Sequence, residues 1–373
     1  MLPYGRQSID EGDIEAVADV LRGDWLTTGP AVGAFERALE GWAGAPCVSV
    51  TSGTAALHTA YAAAGIGPGD EVVTSPMTFV ATASTAAMLG ARIVFADIDE
   101  ESVNLDPAAA EAATTARTRV IAAVDYAGRP ADHPALREVA DRAGALLMAD
   151  AAHSLGSTLG GRPVGSLADV TTFSFFPTKN ATTGEGGAVA STSPALLERA
   201  RRFRCIGLVR DPAEQRYPDE GGWHQEVHEF GLNYRLPDLL CALGTRQLGR
   251  LADFKARRAA LVARYGELLA GVPGLRLPAA ARGADPMWHL YAVRILDGRR
   301  REVFDRMRAA GIGVQVNYIP VHWHPVFADL GYRRGLCPRA EAFYAEQLSL
   351  PLYPGLSRSD QDRVCDALLG ILG

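Results

Sequence analysis

The sequence predicts an α/β protein, with a mostly parallel sheet covered by helices in a large domain and a smaller C-terminal α+β domain after it. Three observations carry this expectation. Short apolar runs alternate with segments of helical periodicity through the first half of the chain. Beyond Gly244 the texture changes to a long amphipathic helix followed by mixed elements. The length, 373 residues, corresponds to two domains at about 150 residues each.

In chain order, residues 14–21 and 32–42 space their apolar side chains as amphipathic helices do. Cys47–Val50 is a short apolar run ended by Thr51-Ser52-Gly53-Thr54. An alanine-rich helix follows over 55–64 and closes at Gly65-Ile66-Gly67-Pro68-Gly69. Glu71–Thr74 reads as a strand, 81–89 as a helix and Arg92–Phe95 as a strand. The strand pattern returns at 120–124, 146–149 and 170–175, with a helix over 134–143. Short buried strands alternating with helices describe a parallel sheet covered on both faces. This large domain is expected to span 1–249, leaving 250–373 for the smaller one. There 251–269 is a long helix rich in Arg and Ala, 289–295 alternates as a strand, and 301–310 and 361–372 are helical. The triplet Arg299-Arg300-Arg301 marks a solvated helix start. Residues 209–230 lack a clean period and are crowded with Asp, Glu, Pro, Gly and His. A loop of that length inside a compact domain points to function.

Composition excludes several classes. With 48% hydrophobic and 21% charged residues the chain is globular. A net charge of −6, from 37 basic and 43 acidic residues, argues against nucleic acid as a partner. No apolar run reaches the roughly 18 residues of a membrane span. Met1 to Asp13 carries charges and no apolar core of a secretory signal. The five cysteines (Cys47, Cys205, Cys241, Cys337, Cys365) are scattered, without a Cys-x-x-Cys pair. A soluble, cytoplasmic protein is expected. No Gly-x-Gly-x-x-Gly follows a strand, and neither a P-loop nor a His-Glu-x-x-His motif is present. His322 and His324 stand two apart with no third ligand to join them, so no metal is expected. The 39 glycines fall singly or in pairs, as close backbone approaches require.

Three segments place a reactive or phosphate-binding group at a strand end, where open α/β sheets bind ligands. In Thr51-Ser52-Gly53-Thr54-Ala55-Ala56-Leu57 a strand gives way to a helix N-terminus whose free N–H groups and hydroxyls suit a phosphate. An ordinary N-cap looks the same. Leu146-Leu147-Met148-Ala149-Asp150 ends a buried strand on a carboxylate that needs a partner, either a cationic ring nitrogen or a helix N-terminus. In Phe173-Ser174-Phe175-Phe176-Pro177-Thr178-Lys179 a lysine leaves an apolar strand ahead of Thr183-Gly184-Glu185-Gly186-Gly187. Alone it reads as a solvated loop lysine; against apolar walls its amine pKa falls, as an imine-forming nucleophile requires. In that order on one domain, phosphate turn, aspartate and lysine are the set that pyridoxal phosphate needs. Phe79, just after another strand, is the candidate for stacking on the ring, or a plain core residue.

With these motifs the chain resembles the DegT/DnrJ/StrS family of sugar aminotransferases, fold-type I pyridoxal phosphate enzymes. The resemblance runs from Gly23-Asp24-Trp25-Leu26-Thr27-Thr28-Gly29-Pro30 to Leu348-Ser349-Leu350-Pro351-Leu352-Tyr353-Pro354. It implies pyridoxal 5'-phosphate as cofactor and Lys179 as the catalytic, imine-forming lysine and proton shuttle. It implies that Asp150 pairs with the pyridine nitrogen and that His153 lies near the phenolic oxygen. Gly53, Thr54, Ala55 and Ser174 would hold the phosphate, and Phe79 would stack on the ring. Asn233, in Gly231-Leu232-Asn233-Tyr234-Arg235-Leu236, resembles the asparagine that reaches the phosphate of the neighbouring subunit, which implies a homodimer with shared sites. Apart from the resemblance, it reads as a turn residue before the helix over 237–248.

The resemblance also frames the reaction. A few relatives carry histidine in place of the lysine and are sugar dehydratases; Lys179 favours transamination, with L-glutamate the family's usual donor. Position 176 is Phe where many relatives carry His or Tyr. Val124-Asp125-Tyr126-Ala127-Gly128 and the segment from Gly311 to His322 resemble enzymes that aminate C4 of a UDP-linked 4-keto-6-deoxy-N-acetylhexosamine. Tyr318 and His322 would then border the sugar nucleotide, with Asn317 where relatives often have His. The alternatives are a dTDP-keto sugar, a cyclitol-type ketone, and a regulator of this fold without turnover.

Overall fold

In the computed structural model, which describes Met1–Gly373, the strands Cys47–Val50, Glu71–Thr74 and Gly187–Ala190 are buried at every position. Only a sheet covered on both faces permits this. That sheet has seven strands. From edge to edge they are Cys47–Val50, Gly187–Ala190, Val170–Ser174, Leu146–Asp150, Thr118–Val124, Glu71–Thr74 and Arg92–Phe95. Gly187–Ala190 runs antiparallel to both neighbours and the other pairings are parallel. Parallel strands bring Val50, Thr74, Val124, Asp150 and Ser174 to one edge of the sheet, with the segments that follow each of them.

The covering helices start where side chains can satisfy their free N–H groups. Asp10 and Asp13 form a capping box at Glu11–Arg22, Ser52 caps Gly53–Ala63, and Ser193 caps Pro194–Arg204. No helix is long and apolar enough to cross a membrane.

The last third builds a three-stranded antiparallel sheet from Leu275–Arg276, Tyr291–Ile295 and Gln347–Leu350. Leu261, Tyr265, Val293, Met307, Leu348, Val364 and Leu368 close an apolar cluster against it. The partition is less sharp than the sequence implies. Leu2 exchanges backbone hydrogen bonds with Gly311 and Gly313, and Tyr4 accepts one from Leu352, so the N-terminal residues belong to the C-terminal part. Val321, Phe327 and Phe343 pack into the cluster formed by the large sheet's helices.

The expected elements recur with moved ends. The alanine-rich helix is Gly53–Ala63, two residues earlier than its periodicity indicates, because Ser52 caps it. Asp150 and Ser174 are the last residues of their strands. The strand Gly187–Ala190 was hidden in the glycine-rich stretch, its small side chains giving no apolar signal. The region 209–230 contains a short ribbon, Leu208–Val209 with Glu226–Val227, and single helical turns. Its hub is Glu226, whose carboxylate accepts from the N–H groups of Arg216 and Tyr217 and faces the rings of His224 and His228.

Candidate active site

At the edge where the strands end, three chain segments converge. The first is the turn after Cys47–Val50. Ser52 Oγ accepts the N–H of Ala55 at 3.0 Å, and Ala55 is buried, 3% exposed. Ala55 therefore drops out of the expected phosphate donors, because capping has used its N–H. Gly53 and Thr54 precede it in the helix's first turn, and Thr54 is exposed. A Cβ on Gly53 would lie 2.7 Å from Ser174 Cβ and 2.8 Å from its hydroxyl. Glycine thus lets the Ser174 hydroxyl reach the helix N-terminus, the pairing of donors that an anion site requires.

Gly187 supports this turn from beneath. It pairs with Val50 on one side and Ser174 on the other, and a Cβ there would stand 2.3 Å from the Ser52 carbonyl oxygen. Gly187 therefore serves backbone packing beneath the Ser52–Gly53 turn, whereas Gly186 is crowded by Thr183 and Phe175 and Gly184 takes a left-handed backbone with φ of 81°. Gly187→Ala is expected to destabilise the fold by roughly 1–3 kcal/mol through overpacking. It should also weaken phosphate-ester binding, measured by thermal denaturation with and without pyridoxal phosphate.

The second segment carries Asp150, which is 5% exposed. Thr82 Oγ1 donates to its Oδ2 at 2.6 Å and the Ala152 N–H to its Oδ1 at 3.1 Å. No helix follows Asp150, so the N-cap reading falls away. Burial raises the carboxyl's pKa, opposed by the Thr82 and Ala152 hydrogen bonds and by the Lys179 charge. A buried acid in this state gains most from a cation placed against it.

Lys179 is on the third segment, a loop closed by hydrogen bonds from the Phe175 N–H to the Gly186 oxygen and from the Thr183 N–H back to the Phe175 oxygen. The Lys179 N–H bonds the Phe176 oxygen at 2.8 Å, and the Nζ makes no hydrogen bond in the chain. Burial of the amine lowers its pKa to about 8, against the raising effect of Asp150. At that value about a tenth is free amine at pH 7, against well under a thousandth for an ordinary lysine, and the free amine is the form that attacks a carbonyl.

Around this pair, His153 is buried, with its Nε2 2.9 Å from the Tyr318 hydroxyl and its Nδ1 unpartnered. Phe79 is 54% exposed, its ring centroid 6.0 Å from that of Tyr318 in an edge-on arrangement. Phe176 stands exposed beside the lysine loop. Asn233 is exposed and its side chain makes no hydrogen bond within the chain, while the neighbouring Tyr234 oxygen accepts from Thr51 N–H.

His322 is a correction. It is 1% exposed, its Nε2 lies 2.8 Å from Glu341 and its ring packs on Phe95, so it presents no surface to a sugar nucleotide. Asn317 is likewise buried; its backbone carbonyl accepts the Tyr126 hydroxyl and its side-chain oxygen is unpartnered. Sequence reasoning also missed three residues. Thr82 holds Asp150, Asn180 holds the His153 carbonyl at 2.7 Å, and the buried His289 packs on His153 with ring centroids 4.3 Å apart. Only Asn180 carried a signal, its adjacency to Lys179.

The model of the DegT/DnrJ/EryC1/StrS aminotransferase family matches residues 7–369. The chain is 39% identical to the spore coat polysaccharide biosynthesis protein SpsC of Bacillus subtilis (strain 168), over all of its own length and 97% of SpsC. Among solved structures it is similar to the sugar aminotransferase CalS13 from Micromonospora echinospora, with a TM-score of 0.90 at 29% identity over 99% of this chain and 100% of the other. It is also similar to Helicobacter pylori PseC, an aminotransferase involved in the biosynthesis of pseudoaminic acid. There the TM-score is 0.93 at 27% identity, covering 100% of this chain and 99% of PseC.

Proposed function

The chain belongs to the DegT/DnrJ/EryC1/StrS aminotransferase family, and from that membership we propose that it moves an amino group from L-glutamate to a nucleotide-linked keto-deoxy sugar. It is a pyridoxal-phosphate-dependent sugar aminotransferase. The finer reading is amination at C4 of a UDP-4-keto-6-deoxy-N-acetylhexosamine. Full-length likeness to PseC supports it. The observation that carries the enzymatic reading is the low-pKa amine of Lys179 set against the buried Asp150.

The residues present fit the cofactor: a buried carboxyl in no ion pair, an amine without a hydrogen-bond partner, an orphaned imidazole nitrogen, and a hydroxyl beside a helix N-terminus. When bound, pyridoxal phosphate supplies a carbonyl that amines attack and a ring that accepts electrons. In the proposed arrangement the Gly53 and Thr54 N–H groups and the Ser174 hydroxyl hold the phosphate. Asp150 keeps a proton on the ring nitrogen, His153 faces the ring oxygen and Phe79 covers one ring face. Lys179 Nζ would take the proton from the amino donor's α-carbon and hold it beside the bound cofactor; for the keto sugar it would return a proton to the substrate carbon.

Asn233 is proposed to complete the phosphate site of a second copy. Trp223, Phe230 and Leu232, beside it in the chain, are 80%, 98% and 39% exposed, an apolar surface that a homodimer would cover. A cytoplasmic location belongs to the same proposal.

The test is spectroscopic and then chemical. The purified protein loaded with pyridoxal phosphate should be yellow, and L-glutamate should bleach the band. UDP-linked and dTDP-linked 4-keto-6-deoxy sugars and a cyclitol ketone should each be offered to the bleached protein. Return of the band with the UDP-linked N-acetylhexosamine, and an amino-sugar product by mass, is expected. Return with the cyclitol ketone alone sinks the nucleotide-sugar reading; a protein that stays colourless sinks the enzymatic one.

A further inference from the structure

His153 and Tyr318 meet across 165 residues of sequence. The turn carrying His153 is fastened on two sides. Ser154 Oγ donates to Asp125 Oδ2 at 2.6 Å, and Asn180 Nδ2 donates to the His153 carbonyl at 2.7 Å. The imidazole itself is walled by rings. Tyr318 lies at 5.9 Å with an interplanar angle of 27°, and His289 at 4.3 Å and 38°.

A neutral imidazole carries one proton, and the partner of one nitrogen decides which nitrogen bears it. His153 is kept neutral, because burial first and the Lys179 charge second push its pKa well below the ordinary value. Tyr318 is kept protonated, because burial, then Tyr4 and Asp150, push its phenol up. The phenol proton needs an acceptor, and the one the structure provides is His153 Nε2, 2.9 Å away. The imidazole proton is thereby assigned to Nδ1, which is buried and has no partner in the protein.

We propose that Tyr318 is a positioning residue: its hydroxyl donates to Nε2 of His153 and fixes the tautomer whose Nδ1–H is presented to the cofactor's ring oxygen. His289 is the wall that holds the imidazole in that plane. This rests on the reading that His153 faces the ring oxygen, and it gives Tyr318 a part beyond bordering the sugar. An N–H donor stabilises the anionic oxygen over its protonated form, so the bound cofactor loses its proton at a lower pH. The charged and titratable groups facing His153 are Lys179, His289, Tyr126 and Tyr318, with Asp150 acting on Lys179 and with Asp125 and Arg258 one step behind. Asp125 is engaged by Ser154, His133 and the Ala131 N–H, and Arg258 by the carbonyls of Trp288, His289 and Leu352.

The experiment is a pH titration of the absorption band of the pyridoxal-phosphate-loaded protein, read as its midpoint. His153→Phe removes the donor and should raise the midpoint by about one pH unit, the scale of a hydrogen bond to a charged group. Tyr318→Phe keeps the ring and should raise it in the same direction by a smaller amount. His153→Gln supplies an amide donor that has no tautomer to fix, so adding Tyr318→Phe to it should move the midpoint no further. A midpoint that moves in His153→Phe but not in Tyr318→Phe, with only the sugar KM changed in the latter, overturns the proposal. So does a full extra shift from Tyr318→Phe on the His153→Gln background. A midpoint unmoved by either single change overturns the reading of His153 itself, and the proposal with it.

Discussion

Lys179→Ala is expected to abolish turnover, with a loss of at least about 10⁴-fold. It removes both the nucleophile and the group that moves the proton, and proton transfer alone contributes about 10²–10⁴. The fold should survive, because the loop is held by the backbone hydrogen bonds at Phe175, Gly186 and Thr183, which do not involve the lysine side chain. The variant should still bind pyridoxal phosphate through the cradle of Gly53, Thr54 and Ser174, yet show no glutamate-dependent bleaching. In the unsubstituted protein the same lysine sets a pH dependence. Its pKa of about 8 lies below the ordinary lysine value of about 10.4. The free amine is the attacking form, so the rate at which the cofactor-free protein captures pyridoxal phosphate should rise with pH through about 8. Stopped-flow absorbance measures this directly. A midpoint near the ordinary lysine value would show that the amine is solvated and remove the physical basis assigned to the site.

Asp150→Asn should lower kcat by about 10²–10⁴-fold, on the scale of a lost catalytic proton. The amide matches the carboxylate in size; its oxygen can keep the Ala152 N–H, and its NH2 would then face the Thr82 hydroxyl, which can turn to accept. What it cannot do is balance a positive ring nitrogen. A second effect has the opposite origin. The Asp150 charge raises the Lys179 pKa, so the amine in the variant should titrate below 8, and capture of the cofactor should begin at lower pH. Slower turnover together with earlier capture separates loss of the ring-nitrogen partner from general damage, which would slow both. If capture keeps its midpoint, Asp150 does not face Lys179 in solution.

Much of this site is written locally. Each strand of the sheet's centre is an apolar run, and the residue that ends the run is fixed by sequence alone. Asp150, Ser174 and Lys179 follow such runs, and Ser52 with Gly53 opens a helix. Placing them at one edge needed only the parallel order that alternating strands and helices impose. Where local signals were weak, reading failed. Gly187–Ala190 has side chains too small to announce a strand, and Ala55 matches a phosphate turn by position while its N–H serves the cap. His322 sits in a segment shaped like a binding loop, yet Glu341 and Phe95 claim it.

The sequence by itself determined the fold class, the family to which the motifs belong, and the placing of Asp150 at the end of one buried strand and Lys179 after another. Tertiary structure alone decided which side chains act on them. Thr82 reaches Asp150 across 68 residues and Tyr318 reaches His153 across 165, and His289 closes on the same ring from the strand region of the C-terminal part. No periodicity encodes such meetings. A hydrogen bond or a stacked pair depends on distances of a few ångströms between elements, and these are set by how whole helices and strands pack, whereas a strand end or a cap depends only on its immediate neighbours in the chain.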